Sequence, residues 1–237
     1  MKLQNATALV TGGSSGIGRA IAAALAGAGA RVAITGRNTR QLEEAAQALK
    51  VHSIRADVTS ESDVKRTFSD VFEKFGHLDI LINNAGFGVF KPLVDQDRES
   101  FDAVFATNVT GAMLMGREAA KHFIGRNIGN IVNIGSTSAL HGAANGSAYY
   151  ASKFALRGMT ECWRAELRKH NVRVFLVNPS EVLTNFGTAA GRPPQKPNPS
   201  KLRGEEIAHA VKAVLEMDDR GFTPELTVFA TNPQDNA

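Results

Sequence analysis

Six short segments rich in β-branched and other apolar residues punctuate the chain: Asn5 to Val10, Arg31 to Thr35, Val51 to Ile54, Asp79 to Ile82, Asn130 to Ile134 and Val172 to Val177. Helical patterns occupy Gly16 to Gly29, Thr39 to Leu49, Ser60 to Phe75, Asp97 to Ile124, Ala148 to Lys169 and Gly204 to Glu216, and Leu226 to Phe229 adds a last strand. Strands alternating with helices read as βαβ units joined into a parallel sheet. Several of the strands are apolar without a break, as burial on both faces by flanking helices imposes. The pattern predicts an α/β, three-layer, doubly wound architecture with a mainly parallel seven-stranded sheet.

The one shift in composition is Gly191 to Ser200, with four prolines in ten residues. Proline fixes φ and removes a donor, so a loop is expected there. Residues 185–203 are accordingly a candidate substrate loop, since loops on a rigid scaffold carry function.

At 237 residues, 43% apolar and 21% charged, one α/β domain spanning 1–237 accounts for the length. The apolar stretch Ala20 to Ala30 falls short of the roughly 20 residues that cross a bilayer. Met1 to Asn5 leads into a strand without a secretory h-region, so a cytoplasmic protein with no membrane partner is expected. Cys162 is the only cysteine, which excludes intrachain disulfides and cysteine-rich metal sites, and no metal is expected in the chemistry. A net charge of +4 spread along the chain does not point to nucleic acid.

Candidate chemistry begins after the first strand, at Thr11-Gly12-Gly13-Ser14-Ser15-Gly16-Ile17-Gly18. A glycine-rich turn at a helix N-terminus offers backbone N–H groups and a positive dipole end to a pyrophosphate, making Gly12, Ser14, Ser15, Gly16, Ile17 and Gly18 the candidate cradle. The spacing Gly-x-x-x-Gly-x-Gly departs from the general dinucleotide fingerprint. The competing reading is a plain turn in which Ser14 or Ser15 caps the helix. In dinucleotide folds a carboxylate after the second strand binds a ribose 2′-hydroxyl, whereas an arginine accommodates a 2′-phosphate. Here that strand ends Thr35-Gly36-Arg37-Asn38, with no carboxylate from Arg31 to Asn38, so Arg37 favours NADP(H) over NAD(H).

Tyr149 and Tyr150 are the only tyrosines, and Tyr149 lies four residues before Lys153, on one face of a helix. A nearby ammonium stabilises phenolate and draws the usual tyrosine pKa of ~10 downward, so the pair can act as general acid and base. Ser136 follows a strand end, where ligand sites of open α/β sheets lie, and its hydroxyl can hold a carbonyl oxygen. Taken alone, a Tyr/Lys pair on a helix is more often a solvated face.

The combination changes that reading. TGGSSGIG at Thr11 to Gly18, NNAG at Asn83 to Gly86, Ser136 thirteen residues before Tyr149, and YYASK ending at Lys153 stand in the order of the short-chain dehydrogenase/reductase family, which the chain resembles as far as about Thr184. The resemblance implies a Rossmann fold, with Tyr149 as proton donor to a carbonyl and Ser136 polarising it. It implies that Lys153 lowers the tyrosine pKa and holds the nicotinamide ribose, and that Asn108 distorts its helix and holds a water relaying protons to Lys153. It further implies that Asp57, with Val58 beside it, meets the adenine, and that Asn83 and Asn84, with Ala85 and Gly86, flank the adenosine ribose. Val182 and Thr184 are implied as nicotinamide contacts after the turn at Pro179, although Ser180 stands where the family usually has glycine. A homotetramer, or a dimer, built on the helices at Asp97 to Ile124 and Ala148 to Lys169 and on the last strand is implied as well.

The expected reaction is reversible hydride transfer between nicotinamide and a small-molecule carbonyl or secondary alcohol. Phe87 to Phe90, Ala139 to His141 and residues 185–203 should choose the substrate, with Phe87, Phe90, Phe186 and Leu140 suiting an aliphatic or acyl carbonyl. Arg192, Lys196, Lys201 and Arg203, with no acid between Gly191 and Arg203, form a basic patch fit for an acidic acyl carrier protein. That would suit a 3-oxoacyl-carrier-protein reductase. The ending from Thr223 to Phe229 lacks the Gly-x-x-x-x-Val-Asp-Gly-Gly of those enzymes and looks more like 3-hydroxy acid and general carbonyl reductases. A non-catalytic NADP(H)-sensing regulator is the alternative of another class, and it would need none of Asn108, Ser136, Tyr149 and Lys153. A sugar epimerase or dehydratase would carry a different glycine spacing and a longer chain.

Overall fold

The computed structural model describes residues 1–184, 186, 198 and 200–232. Its strands are β1 (Thr7–Val10), β2 (Arg31–Gly36), β3 (His52–Arg55), β4 (Ile80–Asn83), β5 (Gly129–Ile134), β6 (Val172–Pro179) and β7 (Glu225–Val228). They form one sheet in the order β3-β2-β1-β4-β5-β6-β7, and every neighbouring pair is parallel. The described helices are α1 (Gly16–Gly27), α2 (Thr39–Leu49), α3 (Glu61–Phe75), α4 (Arg98–Phe105), α5 (Ala112–Arg126), α6 (Ser147–Leu167) and α7 (Gly204–Glu216). None is long and apolar enough to cross a membrane.

Side chains alternate across a strand, and the two faces of the sheet accordingly build two cores. Ala8, Val10, Ile34 and Ile82 pack with Ile21 and Leu25 of α1, Leu42 of α2 and Val211 and Leu215 of α7. Leu9, Leu81, Ile131 and Val174 face the other way, onto Val64 and Phe68 of α3 and Met115, Ala119 and Phe123 of α5. This is the three-layer, doubly wound Rossmann arrangement expected from the apolar strands, fully parallel rather than mainly so.

The first strand, expected from Asn5, starts at Thr7 because Asn5 takes a left-handed backbone, φ 65°. The helix placed from Asp97 to Ile124 is α4, a π-helical turn at Ala106–Gly111, and α5, the turn falling where a distortion at Asn108 was expected. Such turns are found mostly at functional positions within helices. Here the turn carries Asn108 into the interior.

A buried polar chain fixes α6 to the sheet. Asn133 of β5 accepts from Asn83 Nδ2 at 2.9 Å and donates through its own Nδ2 to Thr160 Oγ1 at 2.8 Å. Thr160 in turn donates to the carbonyl of Leu156, one turn earlier, at 2.7 Å. The helix held in this way carries Tyr149 and Lys153.

Candidate active site

A cleft of about 580 Å³ runs along the carboxyl ends of the strands, over the point between β1 and β4 where the strand order reverses. That reversal is where open α/β sheets bind ligands. The cleft is lined in succession by residues that follow β1, β2, β3, β4, β5 and β6.

At its centre, Gly12 and Gly16 adopt positive φ, +63° and +52°. A Cβ on Gly12 would stand 3.0 Å from the Cα of Ala85, so only glycine permits this turn to lie against the loop after β4. That loop is bound to the turn: Thr11 Oγ1 accepts from the N–H groups of Asn84 and Ala85 at 2.9 and 3.0 Å. Asn84 Nδ2 donates to the carbonyls of Thr11 and Gly12 at 2.9 and 3.1 Å. Ser15 precedes α1 but makes no capping bond with its side chain, and the first turn holds no acidic residue. The first bond of the helix runs from Arg19 N–H to Ser15 O at 3.1 Å, which leaves the N–H groups of Gly16, Ile17 and Gly18 unused by the helix. This end of α1 suits a pyrophosphate.

Gly12, Ser14, Ser15, Gly16 and Ile17 line the cleft, and Gly18 does not. A Cβ on Gly18 would fall 2.3 Å from Asn84 Nδ2 and 2.4 Å from Gly12 O. Gly18 therefore serves the close packing of the turn.

Arg37, at the end of β2, lines the cleft and is 68% exposed, with Nη1 4.0 Å from Asp57 Oδ2. Asp57 does not cap α3; Ser60 does. The other oxygen of Asp57 accepts from the N–H and hydroxyl of Thr59, at 2.9 and 2.8 Å. Val58 lines the same stretch, as do Asn38 and Gln41, which sequence reasoning missed. The signal for them was present, because Asn38 accepts from Gln41 N–H at 3.0 Å as the cap of α2, placing both beside Arg37.

At the other end the cleft brings Ser136, Tyr149 and Lys153 together with Asn84, Ala85, Gly86, Pro179, Val182 and Thr184. Lys153 is buried, donates from Nζ to Ile134 O at 2.9 Å, and holds Nζ 5.7 Å from the centre of the Tyr149 ring. Loss of hydration lowers its pKa to about 8. Ser136 Oγ accepts from Ser138 N–H at 3.1 Å, a bond that leaves the hydroxyl proton to be donated. Its backbone N–H donates to Asn178 Oδ1 at 3.2 Å, and Asn178 Nδ2 donates to Glu225 Oε1 at 2.8 Å. Glu225 is also paired with Arg157 of α6 at 3.2 Å, so β7 and α6 both brace the serine.

The Asn108 side chain is turned away from the cleft: Oδ1 accepts from Phe87 N–H at 3.0 Å, while Nδ2 donates to Phe87 O at 2.9 Å and to Ser152 Oγ at 3.0 Å. Two expectations are corrected. Asn83 is internal, donating to Asn133 Oδ1 and to Ala112 O, so Asn84 alone of the pair reaches the cleft. Lys201 is mostly buried and paired with Glu181 at 2.8 Å, so it is no part of an open basic patch. Arg192 and Lys196 lie outside the described residues, as does most of the expected substrate loop, whereas Phe186 is described and lines the cleft.

A phenol beside a buried amine and a serine hydroxyl, in a cleft that also offers an anion-binding helix end, can exchange a proton with an oxygen held between them. The fold and cleft are those of an oxidoreductase built on a dinucleotide-binding frame. A family profile described as short chain dehydrogenase matches residues 6–194, and the chain belongs to that family. It is 31% identical over 231 residues to an uncharacterized oxidoreductase of Staphylococcus epidermidis, covering 96% of this chain and 98% of that one. Among solved structures it is similar to the alcohol dehydrogenase of the archaeon Thermococcus sibiricus complexed with 5-hydroxy-NADP, with a TM-score of 0.89, 28% identity and coverage of 99% and 100% of the two chains. It is also similar to the 3-ketoacyl-(acyl-carrier-protein) reductase of Brucella melitensis complexed with NADH, with a TM-score of 0.89, 28% identity and coverage of 97% and 98%.

Proposed function

We propose that this oxidoreductase is an NADP(H)-dependent carbonyl reductase, reversibly a secondary-alcohol dehydrogenase, in which Tyr149 supplies the proton. The observation that carries the reading is the buried Lys153 amine beneath the Tyr149 ring, in one cleft with Ser136. The nicotinamide nucleotide, when bound, supplies the hydride for reduction or accepts it in reverse.

The chain's own residues do the rest. Ser136 donates its hydroxyl proton in a hydrogen bond to the carbonyl oxygen and fixes the carbonyl next to Tyr149. As the carbonyl carbon gains hydride, the oxygen takes the phenol proton, giving the alcohol and leaving phenolate. The Lys153 ammonium stabilises that phenolate, and the geometry supports direct electrostatic help across the ring face. The N-terminus of α1, with Ser14 and Ser15, would hold the pyrophosphate, and Arg37 the 2′-phosphate. Relatives solved with 5-hydroxy-NADP and with NADH share the fold, so the fold does not choose the nucleotide and the residue after β2 does.

The pairing of Lys201 with Glu181 weighs against docking of an acyl carrier protein on this face. The complete trio of Ser136, Tyr149 and Lys153 weighs against a regulator without turnover. The test is oxidation of NADPH and of NADH with acetoacetyl-type thioesters, β-keto acids, short ketones and aldehydes. Turnover with NADPH ahead of NADH is expected. Tight NADPH binding with no oxidation across the panel would instead establish the regulator.

A further inference from the structure

Gly88 lies under three aromatic rings. A Cβ placed on it would stand 3.0 Å from Phe90 Cε2, 3.1 Å from Tyr149 Cδ2 and 3.2 Å from Phe186 Cζ. The ring of Tyr149 is flanked by Phe90, at 5.5 Å between centroids and 50°, and by Phe186, at 5.2 Å and 56°. These are separations at which tilted aromatic rings attract. Phe186 and Phe87 line the cleft beside Ser136, whereas Phe90 does not line it and touches the phenol from outside.

The remaining walls at this end are mainly apolar or uncharged, with Ile134, Gly135, Pro179 and Val182 among them. Among the described lining residues the cations are Arg37, across the sheet at the end of β2, and Lys153, whose ammonium is directed at Ile134 O. A carboxylate seated against the ring faces of Phe186 and Tyr149 would lose hydration and meet no hydrogen-bond donor from them, which is costly. An apolar body of modest size gains by covering the aromatic wall, and a compact one loses little internal freedom on binding.

We propose that this aromatic clamp selects an uncharged ketone with a compact apolar body, with Phe186 as the specificity-determining contact and Phe90 as a positioning residue for the Tyr149 ring. The inference rests on the carbonyl reductase reading above and narrows its substrate class.

The experiment compares cyclohexanone with the acetoacetate anion, at saturating NADPH, in the wild-type protein and in Phe186→Ala, Phe90→Leu and Gly88→Ala. Wild-type kcat/KM should favour cyclohexanone by about tenfold or more, as loss of a matched contact or an unpaired polar group allows. Phe186→Ala should raise KM for cyclohexanone and narrow that preference. Phe90→Leu should lower kcat more than it raises KM and displace the pH profile of kcat, which a merely structural contact would not do. Gly88→Ala should lose kcat while still binding NADPH by nucleotide fluorescence. Acetoacetate reduced as well as cyclohexanone, or a preference unchanged in Phe186→Ala, would overturn the clamp and leave the reductase intact. No reduction of either ketone, or of any carbonyl in the wider panel, by protein that binds NADPH would overturn both.

Discussion

The side-chain amide of Asn108 pairs with both main-chain groups of Phe87, accepting from its N–H at 3.0 Å and donating to its carbonyl at 2.9 Å. Its Nδ2 also reaches Ser152, which donates to the carbonyl of Tyr149 at 2.7 Å. One buried amide thus joins the π-helical turn, the loop after β4 and the helix that carries the proposed acid. Asn108→Ala leaves Phe87 N–H and C=O without these partners, and each unsatisfied buried group costs roughly 1–3 kcal/mol. The expected result is a protein destabilised by about 2–4 kcal/mol in urea unfolding, with reduced kcat. Asn108→Asp, which cannot donate to Phe87 O when ionised, should not restore either property.

The buried position of Lys153 has two consequences of opposite sign. Its folded pKa is lowered from 10.5 to about 8, so between those values the unfolded chain binds more protons and stability rises with pH. The ammonium that stabilises phenolate is lost over the same range, so carbonyl reduction should fall as pH rises above about 8. Urea midpoints at about pH 8 and about pH 10, beside a pH profile of kcat/KM, measure both. Lys153→Met should remove this part of the stability slope and most of the activity.

Arg37 carries the expected nucleotide preference, standing 68% exposed where β2 ends. Arg37→Asp places a second carboxylate near Asp57, repels a 2′-phosphate and offers an acceptor to a 2′-hydroxyl. The ratio of kcat/KM for NADPH over NADH should fall by about tenfold or more, a shift worth roughly 1.4 kcal/mol per decade. An unchanged ratio would remove Arg37 from nucleotide selection.

Thr160 accepts from the fully buried Asn133, and the isosteric Thr160→Val would strand the Asn133 donor. A loss of about 1–3 kcal/mol in chemical denaturation is expected, with the urea slope unchanged.

The alternation of apolar strands and helices was sufficient to read the sheet, because the central strands β1, β4, β5 and β6 are buried along their whole length and the helices bury one face. The break at Ala106–Gly111 was legible only through the family resemblance that marks Asn108, not from the local pattern, because Ala-Thr-Asn-Val-Thr-Gly contains no proline and the widened turn is held by long-range bonds from Asn108 to Phe87 and Ser152. Asn83 and Asn84 are adjacent, and the alternation at a strand end sends one inward and the other to the cleft; parity alone would have separated them. The acid that pairs with Lys201 is Glu181, which precedes the acid-free stretch from Gly191 to Arg203. It is brought close where Val182 and Leu202 form a parallel bridge, a contact between distant positions that a linear reading misses. Ser136, Tyr149 and Lys153 were legible because their spacing and order are fixed by one strand end and one helix.

Tyr149 and Tyr150 are neighbours on α6 with ring centres 6.2 Å apart, yet only Tyr149 lines the cleft with Lys153. The decisive measurement is NADPH-dependent ketone reduction by Tyr149→Phe and Tyr150→Phe, with nucleotide binding followed in parallel. Tyr149→Phe should bind NADPH and lose about 100-fold or more in kcat, as expected for removal of a general acid, while Tyr150→Phe stays active. Undiminished kcat in Tyr149→Phe would contradict the assignment of the proton donor and the mechanism built on it.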